Sequence, residues 1–129
     1  MSDAILLRFL VVDDEPLVRE MLNDILIDLG YDVVGQANDG ISAIEKAAQL
    51  KPDVICLDIN MPEMSGLDAL ASIKTSNKSI VVIMVTANND SSTVQQAIRT
   101  GADGYILKPF SAQQIVKAVN RGIERINNT

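Results

Sequence analysis

The sequence contains no histidine and no tryptophan, and its aromatic residues are two tyrosines and two phenylalanines. Without histidine there can be no His-ligated zinc or haem and no Ser–His or Cys–His catalytic pair. A single cysteine, Cys56, excludes an internal disulfide and fits a reducing compartment. Positive charge is in the minority, with 11 Lys and Arg against 17 Asp and Glu and a formal net charge of -6. Such a surface has no footprint for a phosphate backbone, so no nucleic-acid partner is expected, and a partner face with some basic character fits better. Long hydrophobic runs are also missing. Nothing opens the chain as a signal peptide and nothing could span a bilayer, so a soluble cytoplasmic protein without a membrane partner is expected. No linker, low-complexity tract or repeat divides the 129 residues. Residues 1–129 are read as a single domain, long enough to bury roughly two-thirds of its unfolded surface.

What is present is an alternation of short apolar runs with longer amphipathic ones. Phe9-Leu10-Val11-Val12 runs into Asp13 and Asp14, and then the period changes: Leu17, Val18, Met21, Leu22, Ile25, Leu26 and Leu29 recur at helical spacing. Pro16 suits the first turn of that helix and Gly30 its stop. Asp32-Val33-Val34-Gly35 predicts a second strand. After turn chemistry at Asn38-Asp39-Gly40, a second helix carries Ile41, Ile44, Ala47 and Ala48. Val54-Ile55-Cys56-Leu57 leads into Asp58, a loop at Met61-Pro62 and Ser65-Gly66, and a helix around Leu67, Leu70, Ala71 and Ile73. Ile80 to Val85 is the strongest strand signal and ends in Thr86. Several possible N-caps between Asn88 and Ser92 precede a helix with Val94, Ala97 and Ile98, ended by Gly101. Gly104-Tyr105-Ile106-Leu107 is the last strand, stopped by Lys108-Pro109. Ser111 with Gln114 has the spacing of a capping box opening the last helix. Five strand–helix units with continuously apolar strands predict an α/β, doubly wound parallel sheet with three helices on one face and two on the other.

In an open sheet of this kind ligands collect beyond the carboxyl ends of the strands. The residues there are Asp13 and Asp14, Asp58, Thr86 and Lys108, each group from a different strand–helix junction. Helix capping accounts for a lone strand-end aspartate, and a strand-end lysine taken alone is common. Two adjacent acids after a buried strand are less comfortable, because they repel each other unless a cation is near. Three carboxylates, a hydroxyl and an ammonium gathered at one edge make a hard-cation pocket with a counter-charge for an anion beside it. Elsewhere, Cys56 reads as a packing thiol, and Met61 and Met64 as gap-fillers near the loop.

The same residues carry a resemblance. Phe9 to Asp14, Asp58-Ile59-Asn60-Met61-Pro62 with Gly66, Val85-Thr86-Ala87, and Gly104-Tyr105 through Lys108-Pro109-Phe110 together resemble the response-regulator receiver domain of two-component signalling, from about Leu7 to Ile126. The resemblance implies a flavodoxin-like five-stranded sheet of order 2-1-3-4-5. It implies that Asp58 is the phosphoacceptor, taking a phosphoryl group from a phosphohistidine of a sensor histidine kinase or histidine phosphotransfer protein. Mg²⁺ would be held by Asp13, Asp14, Asp58 and the backbone carbonyl of Asn60. Thr86 and Lys108 would bind the phosphoryl group, with Lys108 aimed by a cis peptide bond to Pro109. Thr86 and Tyr105 would form a switch acting on a downstream protein target at the face of the fourth helix, fifth strand and fifth helix. Read without the resemblance, Tyr105 is a partly buried strand tyrosine.

Two relatives in fold class fit less well. A flavin or nucleotide binder would need glycines or hydroxyls where Asp13-Asp14-Glu15-Pro16 stands, and a haloacid-dehalogenase-type phosphatase would have Asp-x-Asp there rather than adjacent acids. A pseudo-receiver acting only as an interaction module is disfavoured by the complete acceptor, metal and lysine set. The expected role is a signalling switch that catalyses only its own phosphorylation and dephosphorylation, in the manner of a stand-alone chemotaxis regulator. A phosphorelay shuttle, or the N-terminal receiver of a longer regulator, is the alternative.

Overall fold

A computed structural model describes residues 6–128. Ten elements alternate along the chain: β1 Arg8–Val12, α1 Pro16–Asp28, β2 Asp32–Ala37, α2 Gly40–Leu50, β3 Val54–Leu57, α3 Gly66–Ser76, β4 Val81–Thr86, α4 Ser91–Thr100, β5 Gly104–Leu107 and α5 Ala112–Asn127. All strand pairs are parallel and the order is β2-β1-β3-β4-β5, so the fold is flavodoxin-like. The local signals act where the sequence puts them. Pro16 opens α1, Gly30 follows it at φ +90° and Gly101 ends α4 at φ +117°, and Ser111 and Gln114 form a reciprocal capping box on α5.

The two faces of the sheet follow the period-2 alternation of its strands. Phe9, Val11, Val54, Cys56, Val81, Ile83 and Val85 pack on one face against Leu22 and Leu26 of α1 and Ile115 and Val119 of α5. Leu10, Val12, Ile55, Leu57, Val82 and Met84 pack on the other against α2, α3 and α4 through Ala43, Ala47, Ala69, Leu70, Ile73 and Ala97. The division into two helices and three is therefore present. β1, β3 and β4 are buried almost throughout, whereas edge strand β2 is only half-buried. That strand runs two residues beyond Gly35. Gln36 and Ala37 are paired with Val11 and Val12 across a register shift at Phe9/Leu10, so the neighbouring strand extends a segment whose own propensity is weak.

Gly66, at the start of α3, sits against the turn that leaves β3. Its N–H donates to the Ile59 carbonyl at 2.8 Å, and a Cβ there would lie 2.0 Å from the Asp58 carbonyl oxygen and 2.7 Å from Ile59 Cα. Both obstacles are backbone, so no side-chain rotation can relieve the clash. Gly66→Ala should cost about 1–3 kcal/mol, the usual range for overpacking. Urea denaturation checks this; an unchanged midpoint would mean that helix and loop are not in contact as described.

Candidate functional site

The sheet continues one step past its strands. In register, Val12 faces Leu57, Leu57 faces Met84, and Thr86 faces Leu107. The ladder then runs through the next residues: Asp13 N–H donates to Ala37 C=O at 3.1 Å, Asp58 N–H to Val12 C=O at 3.0 Å, and Lys108 N–H to Thr86 C=O at 2.9 Å. Backbone pairing thus places Asp13, Asp58 and Lys108 beside one another at the carboxyl edge, with Thr86 ending β4. Asp13, Asp58 and Thr86 are buried, at 2%, 4% and 0% exposure, while Asp14 is exposed.

The Lys108 ammonium is drawn unequally toward the acids. It lies 2.7 Å from Asp13 Oδ2, 3.5 Å from Asp58 Oδ2 and 3.7 Å from Glu15 Oε1. Burial alone would lower the Lys108 pKa, but its hydrogen bond to Asp13 and the charges of Asp58, Asp13 and Glu15 outweigh that and raise it. The other Asp13 oxygen accepts the Glu15 N–H at 2.9 Å. Asp58 Oδ1 is buried without a hydrogen-bond partner. Desolvation raises the Asp58 carboxyl above its ordinary value and the Asp13 charge adds to this, while Thr86, Lys108 and the Ile59 N–H oppose it. The Lys108–Pro109 peptide bond is cis.

Asp13, Asp14 and Asp58 each offer a carboxylate oxygen within 4.8 Å of the others. Three hard oxygen donors, on a site that also holds a buried Asp58 oxygen lacking any partner, suit a small divalent cation such as Mg²⁺. Asn60 lies exposed two residues beyond Asp58. Tyr105 stands apart from this cluster, partly buried, and its hydroxyl donates to the Asn88 carbonyl at 2.6 Å. Asn88 N–H in turn donates to Thr86 Oγ1 at 3.2 Å, so one loop residue links Thr86 to Tyr105. Burial, then the charges of Asp58 and Asp90, raise the Tyr105 pKa. Cys56 is fully buried and its thiol is pushed up to about 12, which makes it inert.

Three participants carry no distinctive signal in the sequence. Glu15 was visible only as a third consecutive acid. In sequence Asn88 is a cap candidate, and Arg19, whose Nη1 donates to the Asp13 carbonyl at 2.7 Å, is one more charged residue of the first helix. Partners that act through backbone carbonyls leave little trace in residue type.

Comparison with known proteins gives this geometry a family. The model of the response regulator receiver domain matches residues 9–120, and the chain belongs to that family. The chain is 41% identical over 114 residues to the chemotaxis protein CheY of Thermotoga maritima, covering 88% of this chain and 95% of that one. It is 40% identical over 123 residues to the nitrate/nitrite response regulator protein NarP of Escherichia coli, covering 95% of this chain and 57% of that one. Among solved structures, the CheX-CheY-BeF3-Mg²⁺ complex from Borrelia burgdorferi matches with a TM-score of 0.84 and 30% identity, over 88% of this chain and 86% of that one. This is a CheY-like receiver domain of two-component signalling, a family of signalling switches.

The raised Asp58 pKa has a consequence for stability. A carboxyl whose folded value exceeds its unfolded value stabilises the native state below the unfolded pKa, and that contribution is lost as pH rises through the folded value. At neutral pH, with chelator present, ionised Asp58 is therefore a burden. Asp58→Asn should stabilise the protein there by on the order of 1 kcal/mol, the scale of an unsatisfied buried polar group. The gain should vanish on acidification below the carboxylate range. Thermal melts across pH check it; a destabilised variant at neutral pH, or a gain independent of pH, would contradict this electrostatic picture.

Proposed function

We propose that residues 1–129 form a single phospho-accepting receiver domain in which Asp58 takes a phosphoryl group from the phosphohistidine of a sensor histidine kinase or histidine phosphotransfer protein. The observation that carries this reading is Asp58 Oδ1, buried and without a partner beside the Lys108 ammonium and two further acids. An Asp58 carboxylate oxygen attacks phosphorus, the phosphorus–nitrogen bond breaks, and its electron pair leaves with the imidazole, which takes up a proton. Water attack on the aspartyl phosphate later returns the carboxylate and inorganic phosphate, so the only reactions catalysed are the protein's own phosphorylation and dephosphorylation.

A carboxylate attacks an anionic phosphoryl group only where charge is neutralised. Mg²⁺, held by Asp13, Asp14, Asp58 and the Asn60 carbonyl, would supply part of that neutralisation. Lys108 supplies the rest by leaving Asp13 for the phosphoryl oxygens, to which Thr86 also donates. Beside the acceptor, Val18 and Met21 of α1 border a depression with Lys108, Pro109 and Phe110, and Leu17 and Met21 are exposed. An apolar rim around a charged centre suits a protein phosphodonor. The Thr86–Asn88–Tyr105 chain supplies the output. When Thr86 turns to the phosphoryl group it releases the Asn88 amide, the loop carrying the Tyr105 acceptor is freed, and the α4-β5-α5 face changes for a downstream protein. Phosphorylation shifts a pre-existing balance between the two arrangements.

Similarity to CheY supports a cytoplasmic chemotaxis regulator that uses neither nucleic acid nor a membrane as partner; no described helix is long and apolar enough to cross a bilayer. The match to NarP, a longer regulator, favours the second reading, a receiver serving a larger response regulator or a phosphorelay.

Incubation with acetyl phosphate and Mg²⁺, followed by intact mass, should add one phosphoryl group to the wild type and none to Asp58→Asn. Thr86→Ala should still accept the group, yet lose the amide-shift changes that beryllofluoride induces at Tyr105 and Leu107 in the wild type. A modified Asp58→Asn protein would falsify the acceptor assignment, and undiminished distant shifts in Thr86→Ala would remove the switch.

A further inference from the structure

Asp14 differs from the other acids of the cluster in having nothing to hold it. It is exposed, and among the described residues its side chain has no hydrogen-bond or ion-pair partner. Asp13, by contrast, is fixed at every polar group: its N–H by Ala37, its carboxylate by Glu15 N–H and Lys108, and its carbonyl by Arg19. That carbonyl belongs to the peptide unit that also carries the Asp14 N–H. Because a peptide unit is rigid and planar, a clamp on the carbonyl sets the direction in which the Asp14 Cα and side chain depart.

We infer that Arg19 is a positioning residue for the divalent-cation site, holding the Asp13–Asp14 peptide plane so that the Asp14 carboxylate faces Asp58. The inference rests on the reading of Asp13, Asp14 and Asp58 as the Mg²⁺ ligands. The clamp is a half-buried, charge-assisted bond at 2.7 Å, the stronger class of hydrogen bond. Its lever arm is short, since Arg19 lies in α1 close to the turn that it holds and is itself tied by its N–H to the Glu15 carbonyl at 3.1 Å.

Electrostatics and positioning predict opposite signs here, which makes the inference testable. Arg19 is a cation near a cation site, so its charge alone opposes Mg²⁺, and deleting it should tighten binding. If Arg19 acts by orienting the peptide, deleting it should loosen binding instead, by about tenfold or more, the usual loss for a group that orients a ligand.

Isothermal titration of Mg²⁺ into the wild type, Arg19→Ala, Arg19→Lys and Asp14→Ala, with metal-free melts and amide spectra of each, decides the matter. The expected results are at least a tenfold weaker Kd in Arg19→Ala, partial recovery in Arg19→Lys, and a shifted Asp14 amide in metal-free Arg19→Ala at a nearly unchanged melting temperature. Equal or tighter Mg²⁺ binding by Arg19→Ala would overturn the inference, as would a loss matched by a collapse of its metal-free stability that Arg19→Lys does not restore. If wild type binds and Asp14→Ala does not, such a result condemns only the role of Arg19. If wild type itself fails to bind Mg²⁺, the cation site and the inference fall together.

Discussion

Among the described residues, Lys108 is the one cation within salt-bridge distance of the buried carboxylates of Asp13 and Asp58, and it cannot satisfy both. At 2.7 Å from one and 3.5 Å from the other it leaves Asp58 under-compensated, with one oxygen unbonded. A buried carboxylate is costly unless paired and hydrogen-bonded, so the site is held by the rest of the fold in a state short of positive charge. The hydrogen bonds that continue the sheet through Asp13, Asp58 and Lys108 are what keep it there. Hydrophobic layers pack on either face of the strands that carry them.

This shortage of charge is what would link the structure to the signalling proposed for it. In the proposed mechanism a divalent cation would relieve it at one side of Asp58, and the phosphoryl group would then give Lys108 and Thr86 a new partner. Thr86 is fully buried, and its hydroxyl already serves the Asn88 amide. A change of partner at Thr86 would therefore be felt at Asn88 and at the Tyr105 hydroxyl beyond it. The path is short, made of two hydrogen bonds and one loop residue, and it ends on β5, the edge strand beside α4 and α5.

The strand-end residues are legible in the sequence because the runs Phe9 to Val12, Val54 to Leu57 and Val81 to Val85 are wholly apolar, which marks where each run stops and which side chain follows. Gly30, Gly101 and the Ser111–Gln114 box likewise show the chain's punctuation directly. Edge strand β2 was less legible: half-buried, it carries a weaker pattern, and only pairing with Val11 and Val12 extends it through Gln36 and Ala37. Arg19 and Asn88 are hard to see in the sequence for a related reason. Each works through a backbone carbonyl, either as donor to one or owner of one, and carbonyls are present at every residue. Gly66 is visible in the sequence as part of a motif, but its contact with the Asp58 backbone emerges only when α3 is placed against the loop.

An acidic edge short of positive charge should bind a divalent cation in the native state alone. The most direct measurement is the unfolding free energy of the wild type in chelator and in increasing Mg²⁺, with Asp14→Ala in parallel. Linkage requires native-state stabilisation that grows with the logarithm of concentration, reaching about 2.7 kcal/mol at a hundredfold excess over Kd. That increase in the wild type, largely lost in Asp14→Ala, is the expected result; no stabilisation by Mg²⁺, or the same stabilisation in both proteins, would contradict it.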